Sequence, residues 1–155
     1  MQRMVLALSL ALISGTAMAQ PKAAAPAEAK PPTVDAKSGA IMVTESDLKW
    51  VADPKRPGTY MAYGEGDPAK GAAMFYQKYD KGFAGGMHYH SSDHGGWILA
   101  GTLILEIDGK ETKLPAGSFY FVKAKKPHVA KCDAGADCIM TVSTRGKWDA
   151  VAAKK

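Results

Sequence analysis

The chain has 155 residues, among them 16 glycines and 9 prolines, and it carries a formal net charge of +5. This length allows one domain with a hydrophobic core but hardly two, and the glycine and proline content predicts many turns. The basic residues do not form a stripe with interleaved aromatic residues, so we expect no nucleic-acid partner.

The first residues have the pattern of a secretory signal peptide. Arg3 gives a positive start, residues 4–13 form a short apolar run, and Ala17-Met18-Ala19 matches an A-x-A cleavage site. The apolar run is about half of the ~20 residues that a membrane span needs, so a retained anchor is the weaker alternative. We therefore predict a cleaved signal over residues 1–19, a bacterial periplasmic location and no membrane association after cleavage.

The next segment, residues 20–38, is mainly Ala, Pro and Lys with almost no large apolar residue. Such a segment cannot bury enough surface to offset the entropy lost on ordering it, so we predict a disordered linker. The folded domain is expected over residues 39–151, followed by a tail at residues 152–155. Within the domain, residues 45–50 are predicted to hold a short helical turn capped by Thr44 or Ser46.

Short apolar or alternating runs recur between turn residues along the predicted domain. Asp108-Gly109, between an apolar run and Lys110, is typical of a type I′ hairpin turn. Many short strands at this spacing predict an antiparallel sandwich or barrel. The predicted strands cover residues 59–63, 72–79, 87–90, 97–107, 118–122 and 139–143.

The two cysteines, Cys132 and Cys138, flank a turn sequence at residues 133–137. In an oxidising compartment this spacing suits a disulfide that staples a hairpin. Two free thiols are the equally weighted alternative.

The four histidines of the chain are the strongest chemical signal. His88 and His90 are two residues apart, so on a strand both point to the same face, about 6–7 Å apart at their roots. His94 follows a turn-forming run that can return it to the same point, and His128 comes from a distant segment after Pro127. The alternative is a set of unrelated surface or core histidines; the common spacing pattern favours a metal site.

Residues 82–101 resemble the first motif of the cupin family, G-x5-H-x-H-x3-E-x6-G. Gly82, His88, His90 and Gly101 occupy the motif positions, and His94 stands where the family usually has glutamate. This departure resembles the four-histidine variant of cupins.

Residues 117–132 are similar to the second cupin motif, G-x5-P-x-G-x2-H-x3-N. Gly117 and His128 match, whereas Lys123 and Lys125 replace its proline and glycine, and Cys132 replaces its asparagine. The resemblance extends over most of residues 39–151. It implies an all-β double-stranded β-helix, the jelly-roll barrel of cupins, and a homodimer.

By this resemblance, His88, His90, His94 and His128 would hold one divalent transition metal: Fe, Cu, Ni, Zn, Co or Mn. Four neutral imidazoles leave the full +2 charge on the ion, which would attract an anionic or enolate-like small molecule. Candidate substrate-binding residues are Lys123, Trp97 and Tyr120. Asp93 and Glu106 are candidates for a general base or a partner of a ligand histidine; for Asp93, capping its turn is the favoured alternative.

The cupin fold alone does not determine an activity, so we consider three functions that are compatible with this pattern. The first is a metal-dependent, dioxygenase-like oxidoreductase that acts on a small anionic or enolisable organic molecule. The second is a non-catalytic module that binds a metal or a small ligand. The third is a cupin isomerase or lyase, in which Tyr63, Tyr76 or Tyr120 would supply the base. The chain has no G-x-S-x-G, phosphate-loop or C-x-x-C motif.

Overall fold

The computed structural model describes residues 30–154. The predicted signal peptide, the first ten residues of the predicted linker and the last residue of the tail lie outside the described residues. The described part contains a 3-10 helix at Glu45–Asp47, preceded by Thr44, and eleven strands. These strands are β1 Val51–Ala52, β2 Thr59–Glu65, β3 Ala73–Tyr79, β4 His88–Tyr89, β5 His94–Ala100, β6 Thr102–Ile107, β7 Lys110–Pro115, β8 Phe119–Val122, β9 Val129–Cys132, β10 Cys138–Thr144 and β11 Val151–Ala152.

The strands form three antiparallel sheets. A six-stranded sheet has the order β1-β2-β3-β10-β5-β8, and a three-stranded sheet has the order β7-β6-β9. The short strands β11 and β4 pair separately, with Val151 opposite Tyr89 and Ala152 opposite His88. The prediction of an all-β antiparallel fold is confirmed. No helical segment within residues 30–154 is long and apolar enough to cross a membrane.

The hairpin prediction at Asp108-Gly109 agrees with the backbone geometry. Both residues have positive φ, 53° and 77°, which a type I′ turn requires, and β6 pairs with β7 in register on either side. The run at residues 97–107 is divided into two strands by Gly101, whose φ is 70°. A Cβ there would lie 2.4 Å from the carbonyl oxygen of Asp137, so only glycine fits this close approach.

The core lies between the two larger sheets and is built from alternate residues of their strands. Phe75, Ile98, Leu103 and Val142 are each about 1 % exposed. Full burial of a side chain of this size contributes roughly 1.5–3 kcal/mol. At one end of the core some buried side chains are polar. Three of these polar residues are His90, His94 and His128. The fold therefore leaves a group of imidazoles at the end of an apolar interior.

Cys132 and Cys138 form a disulfide with their Cα atoms 5.8 Å apart. The bond joins the end of β9 to the beginning of β10, around the turn between them. Both residues are buried in the apolar core cluster.

Candidate metal centre

Four histidines reach one end of the barrel from two separate parts of the chain. His88 lies on β4, His90 follows it, and His94 begins β5. His128, next to β9, is joined to His88 by a pair of backbone hydrogen bonds of 3.0 and 2.8 Å. This antiparallel bridge places the two imidazoles side by side, with ring centroids 4.4 Å apart.

Three of these side chains form a group that could hold a metal ion. One ring nitrogen from each of His88, His90 and His128 lies within 4.8 Å of the others. The rings of His88 and His90 are 4.9 Å apart, with His88 on β4 and His90 directly after it. His94 lies beside the group, with its ring centroid 4.4 Å from that of His90 and 5.5 Å from that of His128.

Backbone carbonyls fix the orientation of three rings. Nδ1 of His88 donates to the oxygen of Gly86, and Nδ1 of His128 donates to that of Lys126, each at 2.9 Å. Nδ1 of His90 donates to the oxygen of Asp149. A hydrogen bond at Nδ1 leaves Nε2 with a free lone pair, the arrangement that orients histidine ligands in metal sites.

The fourth histidine differs in one respect. Nδ1 of His94 is buried and has no hydrogen-bond partner among the described residues. A buried polar atom without a partner costs free energy, which a coordinated ion would recover. The donor set of this pocket therefore fits a metal that prefers nitrogen ligands.

Burial keeps these histidines in the form that binds metals. Desolvation lowers the pKa of His90 to about 2, and the neighbouring His94 adds to this shift. Desolvation and then the neighbouring His128 lower the pKa of His94 to about 4. Burial also lowers the pKa of His88 and of His128. All four imidazoles are therefore neutral at pH 7, with lone pairs available to an ion.

The carboxylates near the site are occupied elsewhere. Asp93 accepts a hydrogen bond from the backbone of Ala124 at 2.8 Å and lies 3.9 Å from Arg145, so it holds a loop. Glu106 pairs with Lys131 at 3.2 Å. The group that could hold a metal consists of histidines only, within residues 30–154.

A C-terminal strap, defined here as residues 146–153, closes the site from outside the barrel. The indole of Trp148 stacks on the ring of His90 and lies edge-on to that of His94, with centroids 5.2 Å apart. Its backbone N–H donates to the oxygen of Pro68 at 2.8 Å. Asp149 accepts from His90 through its carbonyl and from the N–H of Ser91 through its side chain. Sequence reasoning missed this strap, because its contacts cross almost sixty residues and it contains only a two-residue strand.

The space enclosed by the four histidines and Trp148 is small. Its volume is about 20 Å³. A cavity needs roughly 10–15 Å³ to hold one water molecule, so this one has room for an ion or a water but not for an organic molecule. With the strap in place, any larger ligand has to approach from outside this space.

The predicted substrate-binding residues are not brought together. Tyr120 lines the small cavity and is buried, and burial raises its pKa, so its hydroxyl stays protonated. Trp97 is 56 % exposed and lies beside Phe119, and Lys123 is exposed on the loop before His128. Tyr63 and Tyr76 line other cavities, which contain none of the four histidines.

The loop before His128 contains a non-glycine residue in the left-handed region. Lys125 stands at the glycine position of the motif and has φ of 61°. Its backbone N–H donates to the carbonyl oxygen of His90 at 2.8 Å. The left-handed residue thus ties the second motif to the first and helps to bring His128 to the other three histidines.

Comparison with known proteins agrees with this architecture. The model of the Cupin_2 family, described as a cupin domain, matches residues 75–144, from within β3 to the end of β10. The comparison with curated proteins gave no match.

Several solved structures share the fold. The polyketide cyclase RemF from Streptomyces resistomycificus superposes with a TM-score of 0.63 at 18 % identity, over 74 % of this chain and 85 % of its own. A predicted oxalate decarboxylase from Thermotoga maritima has a TM-score of 0.57 at 19 % identity, over 68 % of this chain and 99 % of its own. An RmlC-like cupin from Shewanella frigidimarina has a TM-score of 0.50 at 22 % identity, over 64 % and 86 %. The family model over residues 75–144 and these structures together show that the chain has the jelly-roll fold of cupins.

Proposed function

We propose that this chain is an exported cupin in which His88, His90, His94 and His128 hold one divalent transition metal, and that it is a metal-dependent, dioxygenase-like oxidoreductase. Its substrate is a small anionic or enolisable organic molecule. The observation that supports the proposal is the convergence of His88, His90 and His128, each oriented through Nδ1, with His94 beside them and no carboxylate in the group.

The donor set favours this chemistry. A Fe, Cu, Mn or similar ion held there would supply a redox-active Lewis acid whose charge the protein leaves uncompensated. The protein side chains supply orientation and exclusion of water: carbonyls of Gly86, Lys126 and Asp149 fix the rings, and Trp148 covers them. An uncompensated positive charge in a poorly hydrated site attracts an anion more strongly than the same charge in water.

A second candidate, a module that binds a metal without turnover, is favoured by the enclosed volume of about 20 Å³. A site that admits only an ion and a water suits retention of the ion rather than reaction with a larger molecule. The isomerase or lyase alternative is weaker, because it needs a base beside the ion. Tyr120 borders the cavity, but the raised pKa of this buried hydroxyl makes it a poor base at neutral pH.

The experiment begins with the protein purified from the periplasm of the producing cells, followed by mass spectrometry and elemental analysis. Export predicts a mature chain that begins at Gln20, and the proposed centre predicts about one bound ion per chain, lost in His128→Ala. The oxidoreductase proposal then predicts oxygen uptake with a panel of small enolisable carboxylates by the Fe-, Cu- or Mn-loaded protein. One tightly held ion with no oxygen uptake across the panel would contradict the oxidoreductase and support the binding module.

A further inference from the structure

A second cavity lies directly beside the histidine group, underneath the C-terminal strap. Its volume is about 200 Å³, ten times that of the space between the imidazoles. The strap covers it with Ala150 and Ala152, whose small side chains leave it open. This cavity is large enough for an organic molecule that the space between the histidines cannot admit.

The two cavities share a wall. Tyr79, His88 and Ala130 line both of them. His88 is also the most exposed of the histidines, because the other three are only 2–3 % exposed and His88 is of intermediate exposure. A molecule in the larger cavity would therefore lie against one ring of the histidine group.

Arg56 brings to this cavity a guanidinium that is paired with a carboxylate through Nε only. Its Nε–H donates to Asp53 at 2.8 Å, and none of the described residues accepts a hydrogen bond from its Nη groups. The guanidinium is near enough to the Tyr79 hydroxyl to oppose the increase in pKa that burial causes there. No carboxylate lines the cavity. An anion would find a charged donor pair that no side chain of the described protein uses.

The remaining walls are apolar and partly aromatic. The rings of Tyr79 and Phe83 stack with centroids 4.7 Å apart and form one side of the cavity. An apolar cavity of about 150 Å³ is known to accept benzene, so a volume somewhat larger has room for a six-membered ring with a carboxylate. The walls and the charge together select a compact organic anion.

We propose that the cavity lined by Arg56, Tyr79, Phe83 and His88 is the substrate-binding site for a small organic carboxylate, which Arg56 holds by its head group and whose other end lies next to His88, at the edge of the metal centre. This inference rests on the proposed function for the role of the ion, but the binding site itself needs no metal. It replaces Lys123 and Trp97 as substrate contacts, since neither residue lines this cavity.

The test uses benzoate as the probe and benzyl alcohol as a neutral probe of the same shape. Titration of the metal-free protein, followed by nuclear magnetic resonance, should show benzoate binding more tightly than benzyl alcohol. Arg56→Met should weaken benzoate binding by about tenfold or more, since a charge-assisted hydrogen bond contributes roughly 1.5–3 kcal/mol, and should leave benzyl alcohol unaffected. Arg145→Met, which removes an exposed arginine outside the cavity, is the matched control and should bind like the wild-type protein.

A second variant tests the cavity without changing Arg56, since Arg56→Met could reduce binding by disturbing the loop that carries it. Ala152→Phe places a ring into the cavity from the strap and should abolish binding of both probes while Arg56 stays in place. Equal benzoate affinity in Arg56→Met and wild type, or unchanged binding in Ala152→Phe, would overturn the inference.

The distance between bound benzoate and the ion can be tested separately, by the relaxation of the benzoate protons. Benzoate protons should relax faster in the Co²⁺-loaded protein than in the Zn²⁺-loaded protein, because the probe lies beside His88. Tight benzoate binding without this effect would overturn the substrate role. Benzoate binding to a protein that takes up no metal would overturn the proposed function and leave the carboxylate site standing.

Discussion

The indole of Trp148 lies flat on the imidazole of His90, with ring centroids 3.9 Å apart and planes 15° from parallel. The next residue, Asp149, accepts the hydrogen bond from Nδ1 of the same histidine. One dipeptide thus controls both the orientation of His90 and its contact with solvent. The indole N–H of Trp148 is buried without a partner among the described residues, although a buried indole N–H usually has one.

Trp148→Ala should therefore open the site without removing a ligand atom. Metal uptake should remain stoichiometric, while removal of Co²⁺ by a chelator should become about tenfold faster or more, since partners that shield and orient metal ligands change affinity by roughly 10–100-fold. Trp97→Ala, which removes an exposed indole on another surface, is the control and should release Co²⁺ at the wild-type rate. Equal release rates in both variants would show that Trp148 does not restrict access.

The lowered pKa values predict how the metal-free protein responds to acid. His90 and His94 have folded-state pKa values of about 2 and about 4, against an ordinary value of 6.5. As the pH falls below 6.5, these two histidines become protonated in the unfolded chain but stay neutral in the folded chain. The free energy of unfolding therefore decreases as the pH falls through this range. Below pH 6.5, each of the two histidines should reduce the free energy of unfolding by about 1.4 kcal/mol for every pH unit. The contribution of His94 should stop growing near pH 4, where this residue becomes protonated in the folded protein as well.

Urea unfolding of the chelator-treated protein between pH 7 and pH 4.5 measures this loss. His90→Asn removes the group with the largest shift, so its stability should fall less steeply over the same range. A flat profile for the wild-type protein would contradict the burial of neutral imidazoles.

His94 decides between three and four ligands. If it binds the ion, His94→Ala should weaken Zn²⁺ binding by more than tenfold, so that the stabilisation linked to Zn²⁺ falls by about 1.4 kcal/mol or more. The increase in melting temperature that Zn²⁺ produces should then be smaller than in the wild-type protein. His94→Glu should bind Zn²⁺ again, because it restores the donor of the commoner cupin motif. Competition titration with a colorimetric chelator gives the affinities, and a His94→Ala affinity equal to wild type would leave three ligands.

Lys125 predicts a stabilising substitution. A side chain in the left-handed region costs roughly 1–2 kcal/mol, and glycine removes this cost while adding about 0.5–1 kcal/mol of chain entropy. Lys125→Gly should thus raise the free energy of unfolding by up to about 1 kcal/mol. Lys123→Gly, two residues earlier on the same loop and without positive φ, should be neutral or destabilising. Denaturant unfolding of both variants measures the difference, and equal effects would contradict strain at Lys125.

Strand alternation and turn geometry, which depend only on neighbouring residues, predicted two parts of this structure. The same-face placement of His88 and His90 follows from strand alternation, and the turn at Asp108-Gly109 follows from the φ values that its residues tolerate. The position of His128 required the resemblance to a known motif, because its bridge to His88 joins segments forty residues apart.

Other parts of the site depend on contacts that no short pattern encodes. Trp148 and Arg56 are an ordinary aromatic residue and an ordinary basic residue in the sequence, and only the folded chain brings them to His90 and His88. Trp97, a candidate substrate-binding residue, is exposed next to Phe119 and does not line the cavity between the histidines.

The pairing of β11 with β4 has a consequence for the completeness of the site. Trp148 and Asp149 follow His90 by almost sixty residues, so a chain cut short before residue 146 would keep all four imidazoles but lose the indole that covers His90 and the carbonyl that orients it. The integrity of the last ten residues, and not only the presence of the histidines, therefore decides how well the site is closed.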